Sequence, residues 1–441
     1  KGKRIKPLIK ENTMTETNEK VEPKPIDLGE YKYGFHDDVT PVFSTGKGIS
    51  EDVVRAMSAE KGEPEWMLEF RLKSFEKFLE LDNPSFGPKL DIDFDKINYY
   101  KKISDVTDSW DNVDKDIKKT FDDLGVIKAE NTYLCGVSNQ IESEVFYHKL
   151  NSNNGVIFLS TDEALKEYPE LFKKYFNNLV KYDENKFTAL NGCMWSGGSF
   201  IYIPKGVKLD RPLQSYFRIN EVTMGQFERT IIIVDDDAEL SYIEGCTALS
   251  HSENSLHAGV VEIYVGKNAK CKYSTIQNWS NDVYNLVTKR AIVDDYGLME
   301  WLDGNIGSGV TMKYPSSILK GDYAKGNSVS IAFAKEGQVL DAGAKMIHIG
   351  KNTSSNIISK SIAKNGGEAD YRGLVKICES AINSKASVKC DTILLDDESV
   401  SDTIPTNILL NDSSYLEHEA TVSKISEEKL FYLMSKGLSE N

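Results

Sequence analysis

The chain has 441 residues, 40% of them hydrophobic and 27% charged, and a formal net charge of -15. That is the composition of a globular protein, and so acidic a surface repels phosphate backbones, which argues against nucleic-acid binding. No apolar run approaches the roughly 18 residues of a membrane span.

Residues 1–24 are rich in Lys, Glu, Thr and Pro and lack the apolar core of a signal peptide. Met14 reads as a natural start, and residues 1–30 are expected to be disordered. Helical signals follow. "SEDVVRAMSAEKGEPEWMLEFRLKSFEKFLEL" opens with a capping serine, Ser50, and breaks at Gly62 and Pro64. "SWDNVDKDIKKTFDDLGV" and "DEALKEYPELFKKYFNNLV" show the same periodicity, so an α-rich region is expected over residues 31–190.

From about residue 198 short β-rich runs alternate with Gly, Asn and Asp. One phrase returns: an apolar run, polar turn residues, then a new apolar start. It occurs at 201–209, 231–240, 262–271, 291–299 and 331–340. Such a pattern fits a solenoid of stacked strands; a propeller or a large sandwich competes with it. The chain then turns helical in "SEEKLFYLMSKG", with Ser426 as cap and Gly437 as stop. "LSEN" reads as a further helix cut short.

Six cysteines stand at 135, 193, 246, 271, 378 and 390. None are close enough for a zinc clip, and thiols without a secretory leader point to a reducing, cytoplasmic setting. In "LSYIEGC" a strand would put Leu240, Tyr242, Glu244 and Cys246 on one face, with Gly245 leaving room for a close approach. Glu244 there opposes thiolate formation unless a cation lies near. In "YLEHEATVSKI" Glu417 and Glu419 share a face and His418 takes the other, donors suited to iron or zinc. Core thiols and a wet edge strand explain the same residues equally well. Arg218, Asn220, Gln277, Trp279 and Lys289 are polar or large residues inside β-like runs and face either a lined interior or solvent. His257 and His348 read as packed structural histidines; His251 fits neither strand nor helix facing with His257. No phosphate-cradling G-x-x-x-x-G-K-[ST] occurs, so no ATP site is expected on this chain.

Taken in order, "SGGSFIYIPKGVKLDRPLQSYFRIN", "YIEGCTA", "IQNWS", "DAGAKMIH", "NTSSNIISKSI", "YRGLV", "KCDTILLDDESVSDTIP" and "LEHEATVSKISEEKLFY" closely resemble the SufB family, in its bacterial form. These are scaffold subunits of the Suf iron–sulfur cluster assembly machinery. The resemblance runs from Tyr31 to Ser439.

It implies a mainly β fold: a right-handed parallel β-helix core over 191–425, after the α-rich region, with a short C-terminal helical segment over 426–441. By the resemblance, Cys246 accepts persulfide sulfur, and Arg218, Asn220, Gln277, Trp279 and Lys289 line its route. Cys390, Glu417, His418 and Glu419 would hold a transient, nascent iron–sulfur cluster, with Glu419 the foremost carboxylate. The implied partners are the ATPase SufC, SufD or a second SufB, and a cysteine desulfurase with a SufE- or SufU-type donor. The chain itself is then a scaffold and not an enzyme. Two departures stand out: Leu249 where the family often has proline, and the absence of the later helices that dock SufC. A β-helical carbohydrate-active enzyme, which needs paired carboxylates in an open groove, and a purely structural solenoid are the rival readings.

Overall fold

A computed structural model describes residues 40–151, 154–248, 254–424 and 427–438. The expectations for residues 1–30, Leu249, His251, Ser426 and the final "SEN" lie outside the described residues. The helix Glu427–Ser435 does form, followed by Gly437 at φ 91°.

The first helices end where their punctuation demands. Ser50 Oγ accepts the Val53 N–H ahead of Glu51–Lys61, and Gly62 closes that helix in the left-handed conformation at φ 61°. Pro64 then starts Glu65–Glu80. "SWDNVDKDIKKTFDDLGV" gives a 3₁₀ turn, Trp110–Asn112, and a helix, Lys115–Asp123. Pro169 splits the third helical run into Thr161–Glu167 and Pro169–Tyr175.

Three strands interleave with these helices and were not expected: Gly136–Ile141, Glu144–Leu150 and Ile157–Ser160. The first two form an antiparallel hairpin around Glu142, and the first pairs in parallel with Leu213–Ile219. Their two-residue alternation is short, and helical signals on both sides obscure it.

Beyond them lies a parallel β-solenoid of about eight turns. One sheet carries eight successive parallel strands, from Leu213–Ile219 to Tyr415–Lys424. A second sheet faces it. Residues in register on neighbouring strands lie one coil apart in the chain, as in Leu240 opposite Cys271 and Met299 opposite Gly326.

Each coil turns one corner through a single left-handed residue. Asp237, Asn268, Tyr296, Tyr323 and Asn352 all have φ between 53° and 61°. Their N–H groups donate to the next coil at 2.8–2.9 Å, so the corners stack as a ladder. Asn and Asp tolerate this conformation. The two tyrosines offset its strain by stacking, with ring centroids 4.8 Å apart. Four of the five recurring phrases are this corner. The fifth, 331–340, turns between Lys325–Ala334 and Val339–Ala342, on the way from the first sheet to the second. A polar turn between apolar runs marks either corner, so the pattern alone does not distinguish them.

Inside the coil an apolar band fills one end of the strands, including Leu240, Tyr242, Ile263, Tyr273, Met299 and Trp301. The aromatic rings of Tyr242, Tyr273 and Trp301 stack at 5.0 and 5.3 Å on successive turns. One step further along each strand, the interior becomes polar.

Candidate functional site

The strand Glu239–Ala248 alternates as its sequence requires: Leu240, Tyr242, Glu244, Cys246 and Ala248 are all buried. Gly245 points the other way, against the ring of Tyr216, where a Cβ would come within 2.8 Å. The close approach that glycine permits is therefore an aromatic cover over the strand that carries the thiol.

The cation that Glu244 needs comes from the opposite sheet. Lys289 reaches across the bore and its Nζ lies 3.0 Å from Glu244 Oε1, both side chains 1% exposed. Thr275 Oγ1 donates to the same oxygen at 3.2 Å, and the Tyr273 hydroxyl donates to Oε2. Burial opposes ionisation of Glu244, but Lys289 and Tyr273 outweigh it and hold the carboxyl below its usual range. Cys246 Sγ sits 3.8 Å from Glu244 Oε1. Burial, then the charges of Glu244 and Glu228, push the thiol well above its normal pKa; Lys289 and Lys313 offset this only in part. At rest Cys246 is a protonated thiol with a carboxylate beside it to take its proton.

A second polar set lies in contact with the first. His257 Nε2 lies 2.8 Å from Glu228 and Nδ1 2.8 Å from Asn285 Oδ1. Asn285 Nδ2 donates to Gln277 Oε1 at 2.8 Å, and Lys313 Nζ donates to the same oxygen at 3.0 Å. Gln277 is the register partner of Cys246. Arg218, Asn220, Gln277, Trp279 and Lys289 are all buried, which resolves the choice between interior and solvent in favour of the interior. His348 is a packed histidine, bonded to Thr353 and Ser355.

Cys390 lies on the same sheet, five strands further on, which at about 4.8 Å per strand is roughly 24 Å from Cys246. It falls in the ladder column of Glu244. The residues between them in register are Thr275, Asp303, Ser330 and Ser359. Every side chain in that column between the carboxylate and the second thiol is polar.

Cys390 faces inward, with its Sγ 3.8 Å from His418 Nε2. Burial pushes its thiol up to about 12, against a hydrogen bond from the Tyr371 hydroxyl. Gly373 makes room for that hydroxyl, since a Cβ there would meet it at 2.2 Å. Glu417 and Glu419 lie on the outer face: Glu417 accepts from Ser387 at 2.9 Å, and Glu419 stands 3.5 Å from Lys389. The geometry thus joins His418 to Cys390 and sets Glu417 and Glu419 apart from it, on the outside of an edge strand. Among the described residues no group of three or more His, Cys, Asp or Glu side chains is arranged to hold a metal. Cys390 and His418 are two donors of a larger set.

A family model described as "SUF system FeS cluster assembly, SufBD core domain" matches residues 217–441, and one for the SufBD N-terminal region matches 58–215. The chain belongs to the SufBD family. Iron–sulfur cluster assembly SufBD family proteins of Staphylococcus aureus strains MRSA252 and USA300 are 57% identical over 422 residues, 95% of this chain and 91% of theirs. A Staphylococcus saprophyticus relative is 56% identical over the same span. The chain is thus a component of iron–sulfur cluster assembly by the Suf system. No helix among the described residues is long and apolar enough to cross a membrane.

Several interior groups of this SufBD protein escaped the sequence reading: Tyr273, Asp303, Lys313, Glu228 and Tyr371. The signal was strand parity. Asp303 shares the inward phase of Met299 and Trp301.

Glu142 is another. It turns the hairpin at φ 54°, is fully buried, and accepts the Asn220 N–H at 3.0 Å. Burial, then the charge of Glu221, raise its carboxyl from 4.5 to about 8. The folded state therefore binds a proton that the unfolded chain releases between these values. Its contribution to stability is complete below pH 4.5 and is lost as pH rises through 8. Glu142→Gln should stabilise the protein by about 3 kcal/mol at pH 7 and flatten the pH dependence of denaturant unfolding over that window. An unchanged slope would assign the dependence to other groups.

Proposed function

We propose that this SufBD protein is a SufB-type scaffold in which Cys246 accepts sulfur, the polar bore carries it, and Cys390 and His418 begin a cluster. The observation that carries this reading is the unbroken polar column, Thr275–Asp303–Ser330–Ser359 in register, between Glu244 beside Cys246 and Cys390 itself. An apolar coil would close tightly there; desolvated polar groups are retained only where something satisfies or uses them.

The acceptance step follows from the geometry. Glu244 takes the Cys246 proton, and the thiolate attacks the outer sulfur of a donor persulfide. A new S–S bond forms on Cys246, the donor's S–S bond breaks, and the donor leaves as a thiol. Lys289 holds the charge balance at Glu244 while the proton moves. Iron and sulfur are substrates. Two donors on this chain make an incomplete, labile site, so the remaining ligands come from Glu417 or Glu419 after a shift of the edge strand, or from a partner subunit, SufD or a second SufB. The ATPase SufC and a cysteine desulfurase with its sulfur donor complete the machinery.

The test uses the full chain with its Suf partners under anaerobic conditions. After incubation with cysteine and the desulfurase, the peptide bearing Cys246 should gain the mass of one sulfur atom, and lose it on reduction. Sulfur found only on Cys135, Cys193, Cys271, Cys378 or Cys390 would overturn the assignment.

A further inference from the structure

The bore beside Cys246 contains more hydrogen-bond donors than its own atoms can use. Gln277 turns its carbonyl oxygen to Asn285 and Lys313, so its Nε2 amide points away, and that group has no partner. Trp279 Nε1 has none either. On the next strand Asn305, in register with Gln277, has no partner at either end of its amide. All three residues are at most 2% exposed. Buried amides are almost always paired, and three orphaned N–H donors around one stretch of bore mark a place built around something else.

Lys313 supplies a charge there. Its ammonium donates to Gln277 and lies 3.3 Å from Asp303. The Lys313–Asp303 and Lys289–Glu244 pairs balance, so the wall carries little net charge. Any charged guest is recognised by the free donors. A cation finds two ammonium groups and only one free amide oxygen, that of Asn305. A small anion finds three N–H groups and Lys313.

We propose that Gln277, Trp279, Asn305 and Lys313 form a cradle for one anionic sulfur species, the hydrosulfide ion. It rests on the reading of the bore as a sulfur route and adds to it a non-covalent holding point, with Asn305 and Lys313 as ligands. Sulfide held there is desolvated yet hydrogen-bonded, and neither oxidised nor bonded to carbon. Burial pulls the Lys313 ammonium down, against Asp303, so an arriving anion also firms up its protonation.

The experiment takes the iron-free full chain as Cys246→Ser, which cannot hold sulfur covalently at that position. The protein is incubated anaerobically with sodium hydrosulfide, desalted and assayed for acid-labile sulfide. The cradle predicts about one sulfide per chain. In the same background Asn305→Leu should retain at least about tenfold less, the loss of one hydrogen bond to a charged group. That leucine removes an unpartnered amide from the interior, so the variant should unfold at the same or a higher temperature. A purely structural asparagine predicts the thermal gain with sulfide unchanged, and that result would overturn the cradle. So would a Cys246→Ser chain that retains no sulfide. Failure of the wild-type chain to take sulfur on Cys246, with sulfide still bound in the variant, would sink the acceptor role and leave the cradle standing.

Discussion

Glu262→Ala is expected to cost the protein its fold, or to lower its stability by on the order of 5 kcal/mol. Glu262 lies on the second sheet with its side chain fully buried. Its carboxylate accepts the backbone N–H groups of Asn177, Asn178, Leu179 and Val180 at 2.7–3.1 Å. Arg229, also fully buried, donates to it at 2.8 Å and reaches on to Val180 O and Asn191 Oδ1. One carboxylate thus ties the segment after the helix Pro169–Tyr175 to the solenoid. Alanine leaves four donors and a guanidinium without their acceptor in a site water does not reach. Each orphaned donor costs about 1–3 kcal/mol, and an unpaired buried charge about 3–5, so several partial losses suffice. Glu262→Gln keeps one acceptor oxygen and should retain a folded but weakened protein. Thermal unfolding by circular dichroism reads both. A Glu262→Ala protein within about 1 kcal/mol of wild type would show that water fills the site.

The same carboxylate shows what the sequence could reveal. "VVEIYV" reads as a buried strand, and parity puts Glu262 out of phase with Val261 and Ile263, which reads as solvent. The helical segments of residues 161–194 cover that face instead, and no local pattern announces tertiary cover. By contrast, "LSYIEGC" and "YLEHEA" revealed their facing through alternation alone, because each strand has one face inside the coil. What alternation could not reveal is which side chains meet across the bore. Glu244 and Lys289 are 45 residues apart and sit on different sheets. The family likeness brought the two thiols together as a pair. Only the register of five strands makes Cys390 the continuation of Glu244's column. The corner ladder was half legible: Asp, Asn and Gly marked turns, while Tyr296 and Tyr323, unusual at a left-handed position, read as ordinary strand residues.

Cys390→Ser should lower cluster assembly by the complete Suf complex at least about a hundredfold while the chain remains folded. Serine fills nearly the same volume and can still meet Tyr371, so packing beside Val388 and Ala386 survives. It cannot become a soft thiolate, and iron–sulfur chemistry depends on one. The resting thiol lies near 12, which makes the site inert until a cation arrives: iron drives deprotonation by binding, and the proton leaves. His418, 3.8 Å away, has burial holding it below its usual pKa, so it meets iron as a neutral ligand. His418→Ala should therefore lower the assembly rate too. Glu417→Gln and Glu419→Gln separate two arrangements of the outer face. If the edge strand Tyr415–Lys424 turns a carboxylate inward under load, one of them slows assembly. If a partner subunit completes the site, neither does. Cys378→Ser is the control, half-buried and outside the column. Anaerobic assembly followed by visible absorbance measures the series. Wild-type rates from Cys390→Ser would remove the second thiol from the route and, with it, the reason for an unbroken polar column leading there.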